Sequence, residues 1–428
     1  MYQRKEDIDV EGVGPELAHV EARPAGRIAA GGAVALFVVQ AGWILAAMDY
    51  SLYNFALPLI LTDLNISLPT AGLIFFLSLQ GTFVGSLVVP ILADYVGRRN
   101  AMMGNILLYA FATAAVAFAP VAWFLVLARF LVNFGVGGEQ PVGAAYVSET
   151  WNPRTRGRAM GFMQSGWAIG SILASLLLVA VGSTLGWRPM FLIGIIPAAL
   201  VVAIRLWLPE SQKWIENRRA REAAPESDNK FTLAQLFAPD LRRFTIIGTL
   251  LLVVGNAGSG GIMAWAPTFL NTERGLDIAT VGWFGTMLSI GMLVGYNAFG
   301  IIADAIGRRP TLAIYFFLSI LSIGVFALVR DLVFLGFATF WVGVTTAGAF
   351  AGFIIYLSEL FPTRARATGV GWCMGIGLFF WALVPYIMGV LAPGSDLGTV
   401  FVMIAPAVYV IGLIVLAFAP ETKGKELV

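Results

Sequence analysis

Long stretches of this chain carry little or no charge, and the loops between them are short and rich in arginine. Twelve such stretches can be marked, at about 30–61, 70–93, 101–119, 122–148, 158–182, 189–208, 244–270, 279–303, 310–329, 332–357, 367–391 and 398–419. A hydrocarbon layer offers backbone N–H and C=O groups no partner. A segment that crosses it must therefore close its own hydrogen bonds, as a helix does. About 20 residues are enough for one crossing. Proline inside several stretches (Pro58, Pro141, Pro267, Pro385) is compatible with bundled membrane helices, where neighbours satisfy the freed carbonyls. The pattern predicts an all-α membrane protein with twelve transmembrane helices.

Composition agrees: 58% of residues are hydrophobic and 12% are charged, about half the charged share of soluble domains. Orientation follows from the loops, because cytoplasmic loops collect Lys and Arg. With the N-terminus inside, twenty-three of the 27 Lys and Arg residues fall in cytoplasmic segments. Three (Arg188, Arg274, Arg330) fall outside, and Arg129 remains within a span. Both termini are expected in the cytoplasm, with the chain in the cell inner (plasma) membrane. The first residues, to about Arg27, mix charges and do not read as a cleaved signal peptide.

The polar interval 209–243 divides the spans into six and six. The expected units are a tail (1–28), an N-terminal bundle (29–208), a linker (209–243), a C-terminal bundle (244–420) and a short tail (421–428). The halves repeat. Asp94-x-x-Gly97-Arg98-Arg99 returns 210 positions later as Asp304-x-x-Gly307-Arg308-Arg309. Glu149, followed by Pro153, Arg158 and Gly161, returns as Glu359, followed by Pro362, Arg366 and Gly369. Pro209-Glu210-Ser211 returns as Pro420-Glu421-Thr422. Internal repeats of this kind are typical of transporter folds.

At these residues the chain resembles the major facilitator superfamily. Gly300 to Arg309 matches the family signature G-x-x-x-D-x-x-G-R-[RK] in full, while Pro90 stands at the glycine position of the first copy. Arg129 to Glu139 resembles the fourth-span motif, and the two Pro-Glu-Ser/Thr elements resemble span ends of sugar porters. Gly138-Glu139, Tyr146 to Trp151, Gly161 to Gly166 and Gly186-Trp187-Arg188 resemble the sialate- and lactate-type and aromatic-acid proton symporters. Those relatives carry Asp-Gly-Phe-Asp in span 1; here Asp49 falls on the second acid and Ala46 replaces the first. The resemblance implies two pseudo-symmetric six-helix bundles around a central solute site.

Ionisable groups inside a bilayer are costly and are functional candidates by default. Asp49, Arg129 and Glu139 are such groups, all in the N-terminal half. Their depths place Asp49 and Arg129 within about one helical turn of each other. One reading is a protonation switch, as the resemblance to sugar porters implies; the other is a structural ion pair. Glu139 is either a second proton carrier or a hydrogen-bonded carboxyl that never titrates. Candidate solute contacts are Tyr53, Asn54, Gln164, Trp167, Asn256, Trp265 and Trp381, with packing as the alternative for each. The cytoplasmic cluster Asp94, Arg98, Arg99, Glu149 and Arg158, with its mirror Asp304, Arg308, Arg309, Glu359 and Arg366, is implied by the resemblance to form an inner gate. It also serves as a topology signal.

No enzyme is expected. The single histidine, His19, lies in the tail, Cys373 is the single cysteine, and no multi-carboxylate set falls in a span. Neither a cofactor, a metal nor a nucleic-acid partner is expected, and no phosphate-binding Gly-Lys-Ser/Thr loop is present. The partners expected are a small solute, a proton and the lipid bilayer, for a monomer. The function read here is proton-coupled symport of a small organic anion, with a sugar or other neutral solute as the alternative.

Overall fold

The computed structural model describes residues 30–150, 156–195, 199, 210, 215, 233–361 and 366–423. Among them all regular structure is helical. The N-terminal half contains α1 (Ala30–Asp63), α2 (Leu68–Val96), α3 (Arg98–Val116), α4 (Ala122–Thr150), α5 (Arg156–Leu177) and α6 (Trp187–Leu192). Beyond α5 the chain continues helically through Leu178–Gly182 and Ser183–Leu185. The C-terminal half contains α7 (Arg242–Thr272), α8 (Ile278–Ile306), α9 (Arg308–Leu328), α10 (Leu332–Leu360), α11 (Arg366–Leu391) and α12 (Leu397–Phe418). Ten of these are long and apolar enough to cross a membrane. Helix α3 is long enough at 19 residues but opens on Arg98-Arg99-Asn100 and buries Asn105, Tyr109 and Thr113, which lowers its hydropathy. The sixth expected span falls mostly on residues outside those described.

The repeat is structural. Helices α2, α3, α4 and α6 begin 210 positions before α8, α9, α10 and α12. The turns between α2 and α3 and between α8 and α9 hold Gly97 at φ 98° and Gly307 at φ 108°. Residues with a Cβ rarely adopt that conformation, which explains the glycine in both Asp-x-x-Gly-Arg-Arg copies.

Close packing repeats as well. Helix α2 crosses α4 where a Cβ on Gly81 or Gly85 would overlap the carbonyls of Phe130 and Phe134. Helix α8 crosses α10 where a Cβ on Gly291 or Gly295 would overlap those of Phe340 and Val344. Each pair of backbones meets directly, as small residues permit between membrane helices. Gly300 is different: a Cβ there would enter open space. This position of the signature is therefore not a close-packing glycine, and its repeat partner is Pro90.

Acidic side chains close both ends of each half. Glu210 accepts from the backbone N–H of Arg98 at 2.9 Å and Arg99 at 3.3 Å. Glu421 accepts from Arg308 at 2.9 Å and Arg309 at 3.0 Å. Each carboxylate thereby satisfies orphan donors at a helix start and complements the helix dipole. At the opposite end Asp63 holds Trp187 Nε1 at 3.1 Å and pairs with Arg188. Glu273, 210 positions on, accepts from the N–H of Gly398 at 3.1 Å and also from Leu397. The outer surface exposes large apolar side chains such as Phe118, Trp123, Ile301, Leu328, Phe334 and Phe418. Such an apolar surface suits lipid contact.

Candidate functional site

The two halves meet away from the arginine turns. Gly72 of α2 lies against Pro385 and Tyr386 of α11, Gly389 of α11 against Leu68, and Gly282 and Gly285 of α8 against Val179 and Phe55. From this seal a cavity of about 340 Å³ extends toward the arginine end. It passes from Asn54 and Met263 at depth to Ser86, Leu87 and Gly371.

One wall is aromatic. Trp167 of α5 stands between Trp43 and Tyr50 of α1, with ring centroids 5.1 Å from each. Trp381 of α11 donates its Nε1 hydrogen to the Tyr50 hydroxyl at 3.1 Å, so this contact ties the two halves. Phe350 of α10 meets Trp381 edge-on at 6.1 Å. Polar groups are few and uncharged: Ser51, Asn54, Thr82, Gln164, Ser171, Ser259 and Thr346 line the same space. Trp43 Nε1, Asn54 Oδ1 and Thr82 Oγ1 find no hydrogen-bond partner within the protein. A mostly apolar cavity with a few placed polar groups is the usual form of a small-molecule site.

Four of the seven solute candidates, Asn54, Gln164, Trp167 and Trp381, line the cavity. The other three sit behind it, each held by its own neighbours. Trp265 is fully buried and donates to the carbonyl of Pro385 at 2.9 Å. Asn256 donates to Leu252 O one turn back at 2.9 Å. Tyr53 lies under Arg129, whose guanidinium carbon is 4.6 Å from the ring centroid. Trp43 and Tyr50 were not among the candidates. Their spacing with Asn54 along α1 was the available signal, and it was masked by a helix that is apolar on every side.

Behind the aromatic wall lies the charged layer. Asp49, Arg129 and Glu139 are all buried, at 0%, 2% and 2% exposure. The contact between the first two differs from a carboxylate–guanidinium pair. Arg129 donates to the backbone carbonyls of Asp49 at 3.1 Å and Tyr50 at 3.4 Å. The Asp49 carboxylate faces Thr113 and feels the Arg129 charge, but no well-formed hydrogen bond closes on either oxygen. Glu139 accepts from Asn105 Nδ2 of α3 at 3.3 Å, and its other oxygen lies against Gly42 of α1.

At the arginine end, the described gate residues lock helices within one half. Arg308 binds Asp304 and Glu359, each at 3.0 Å. Thr422 donates to Glu359 at 2.7 Å, and the guanidinium of Arg309 reaches Ala417 O at 3.0 Å. These contacts join α8, α9 and α10 to the segment after α12 and do not cross to the other half. Arg98 and Arg99 take part through their backbone contacts to Glu210. The side chains of Asp94, Glu149, Arg158 and Arg366 lie outside the described residues. Burial would raise the Glu421 carboxyl, but N–H donors from Lys423, Arg308, Arg309 and Thr422 outweigh it and hold the group below its ordinary range. Among the described residues no cluster of His, Cys, Asp and Glu could hold a metal ion.

A family model described as Major Facilitator Superfamily matches residues 41–279 and 247–427. A 3-(3-hydroxy-phenyl)propionate transporter of Escherichia coli is 32% identical over 362 residues, covering 80% of this chain and 83% of that protein. A protein of Cupriavidus pinatubonensis named "Probable 4-methylmuconolactone transporter" is 31% identical over 395 residues, covering 90% of this chain and 89% of its own. In fold, the chain is similar to a bacterial homologue of the human lysosomal transporter Spinster in an inward-facing, occupied conformation. The TM-score is 0.66 and the identity 15%, over 90% of this chain and 94% of that one.

Proposed function

The chain belongs to the Major Facilitator Superfamily and is a secondary transporter, and from that premise we propose that it carries a small organic carboxylate together with a proton. The solute binds in the cavity between the halves, its planar or unsaturated body against Trp43, Trp167, Tyr50 and Trp381. Its carboxylate is met by the indole N–H of Trp43, by Thr82 and by Gln164. The similarity to transporters named for a phenylpropionate and a muconolactone supports this class. Twelve spans with both ends in the cytoplasm, in the inner membrane and as a monomer, complete the reading. The cavity is then inward-facing.

One observation carries the proton half of the proposal. Arg129 is anchored on the carbonyls of Asp49 and Tyr50 while the Asp49 carboxylate stays unengaged. The charge of Asp49 can therefore change without first breaking a strong hydrogen bond. With Asp49 ionised, the Arg129 charge is balanced locally. With Asp49 protonated, the positive field extends through Tyr50 toward the cavity and favours an anion there. Proton and carboxylate then each raise the other's affinity, the reciprocity that coupling requires.

Counterflow into proteoliposomes tests the solute class. Uptake of 3-(3-hydroxyphenyl)propionate and related unsaturated acids is expected, with hexoses excluded. Hexose exchange without acid exchange would contradict the carboxylate reading and favour a neutral solute.

A further inference from the structure

Asn105, Tyr109 and Thr113 of α3 are spaced four residues apart, so they share one helix face. All three are buried, at 5%, 0% and 0% exposure. This face meets α1 and α4 where Asp49 and Glu139 sit. Asn105 holds Glu139 at 3.3 Å. Thr113 faces Asp49, and Tyr109 lies within the electrostatic reach of both acids. Tyr109 packs over Gly135 of α4, where an added Cβ would come within 2.7 Å of the Tyr109 Cβ. The Tyr109 hydroxyl, the Thr113 hydroxyl and both side-chain polar atoms of Asn133 have no hydrogen-bond partner in the protein. Buried polar groups are nearly always satisfied, and an unpaired one is expensive in low dielectric. The α3 members of this set, aligned between two buried acids, need an explanation.

The C-terminal half also leaves a buried hydroxyl unpartnered on this face, Ser319 at the counterpart of Tyr109, but it places no acid at either end of the face. The positions 210 residues on from Asn105, Tyr109 and Thr113 are Tyr315, Ser319 and Ile323, and no acid stands at the counterparts of Asp49 or Glu139, which are Ser259 and Ala349.

We infer that Asn105, Tyr109 and Thr113 line a proton path inside the N-terminal half, separate from the solute cavity, which joins Glu139 near the arginine end to Asp49 beside the site. The inference rests on the proton-coupled reading of Asp49. In the transfer step that accompanies solute entry the protonated Asp49 carboxyl releases its proton toward the Tyr109 hydroxyl, which passes its own proton to the Glu139 carboxylate. Asp49 ends ionised, Glu139 ends neutral, and Tyr109 is unchanged. Water carries the proton over the separations that the side chains do not bridge. Asp49 is faced by Arg129 from α4 and by Tyr109 and Thr113 from α3, while Tyr50 and Tyr53 of its own helix lie beside Arg129; Glu139 is faced by Asn105 and Tyr109. Arg129 is the one cation in this set and sits at the Asp49 end, where it stabilises the carboxylate left as the proton departs.

Tyr109→Phe removes one oxygen and keeps the ring over Gly135. In proteoliposomes given 3-(3-hydroxyphenyl)propionate, this variant should slow uptake driven by a pH gradient by about tenfold or more. Counterflow exchange, which moves no net proton, should stay near wild type. Thr113→Val, a swap of similar volume, should act in the same direction and stands in if the tyrosine variant is poorly folded. Gradient-driven uptake at the wild-type rate in both variants would overturn the path. Equal loss of exchange and uptake would make the seam structural and overturn it too. Wild-type uptake that ignores the pH gradient would instead overturn the coupling reading. A solute-free measurement then decides on the path alone. The broad infrared continuum of a shared-proton chain should be present in the purified wild type and lost in Tyr109→Phe; its absence from the wild type, or its persistence in the variant, rejects the path.

Discussion

The two halves share a skeleton and divide the chemistry. At the positions of Asp49 and Arg129, the C-terminal half has Ser259 and Thr339. Each satisfies itself: Ser259 donates to Gly255 O at 2.8 Å and Thr339 to Leu335 O at 2.7 Å. A hydroxyl that bonds the preceding helical turn needs no partner from another helix. A buried carboxylate or guanidinium does need one. Glycine crossings, positive-φ turns and acidic caps recur 210 or 211 residues apart because any six-helix half must pack, turn and end. Intramembrane charge does not recur. The repeat therefore marks what the scaffold requires, and departures from it mark what the function requires.

That division sets an order of expected effects. The largest come from shared features. Gly85→Ala and Gly295→Ala each push a methyl into a facing backbone carbonyl. Overpacking typically costs about 1–3 kcal/mol, and backbone has less freedom to yield than a side chain. Both variants should lose much of their abundance and melt earlier in detergent, to similar extents. A large loss at one site and none at the other would mean that the crossings are not equivalent.

Next comes the feature that is not shared. Asp49→Asn should abolish uphill accumulation under a pH gradient and leave counterflow partly intact, once normal abundance has been verified. Ser259→Ala should leave the accumulation ratio near wild type, although Ser259 lines the cavity and the half-saturation concentration can shift. If the serine variant uncouples transport as fully as the asparagine variant, the proton step is not confined to one half.

A smaller effect is expected where the halves touch. Trp381→Phe removes the donor to the Tyr50 hydroxyl while keeping an aromatic ring. A neutral hydrogen bond is worth about 1 kcal/mol, so solute affinity should weaken by roughly fivefold in a binding titration. No change would place the solute away from this contact.

The smallest concerns Glu421. Its carboxyl is held below the ordinary range in the folded protein, so its contribution is present above the unfolded value of about 4.3. That contribution is lost as pH falls through the lower folded value. Helix-start interactions that are partly screened by solvent are worth about 1 kcal/mol or less. Wild type should lose this increment in acid melts, and Glu421→Gln should lack it at neutral pH. Identical acid profiles would remove the cap from the account of stability.

Much of the architecture was legible in the residues, because lipid imposes length and loop charge imposes order. The 210-residue repeat, the Asp-x-x-Gly-Arg-Arg turns and the buried Asp49, Arg129 and Glu139 could all be read directly. Facing could not. Most spans are apolar on every side, so no hydrophobic stripe separates residues that line the cavity from those that pack behind it. Trp265 and Asn256 looked like ligands by type, yet one bonds Pro385 O and the other its own helix. The pairing of Arg129 with carbonyls, and of Asp63 and Glu273 with distant helix starts, depends on tertiary approach that spacing within one helix does not encode. Gly81-x-x-x-Gly85 and its copy Gly291-x-x-x-Gly295 have the small-residue spacing of close helix packing and repeat as the charged turns do, a signal that went unread in the residues.

The most direct test of proton-coupled transport is protein-dependent proton movement driven by the solute itself. Purified protein is placed in proteoliposomes containing a pH-sensitive dye, with no pH gradient and no membrane potential, and 3-(3-hydroxyphenyl)propionate is added outside. Acidification of the interior is expected in step with solute entry, above that of protein-free vesicles, and is expected to vanish in Asp49→Asn. Solute entry with no proton movement, or proton movement that survives Asp49→Asn, would contradict a carboxylate symporter whose proton site lies in the N-terminal half.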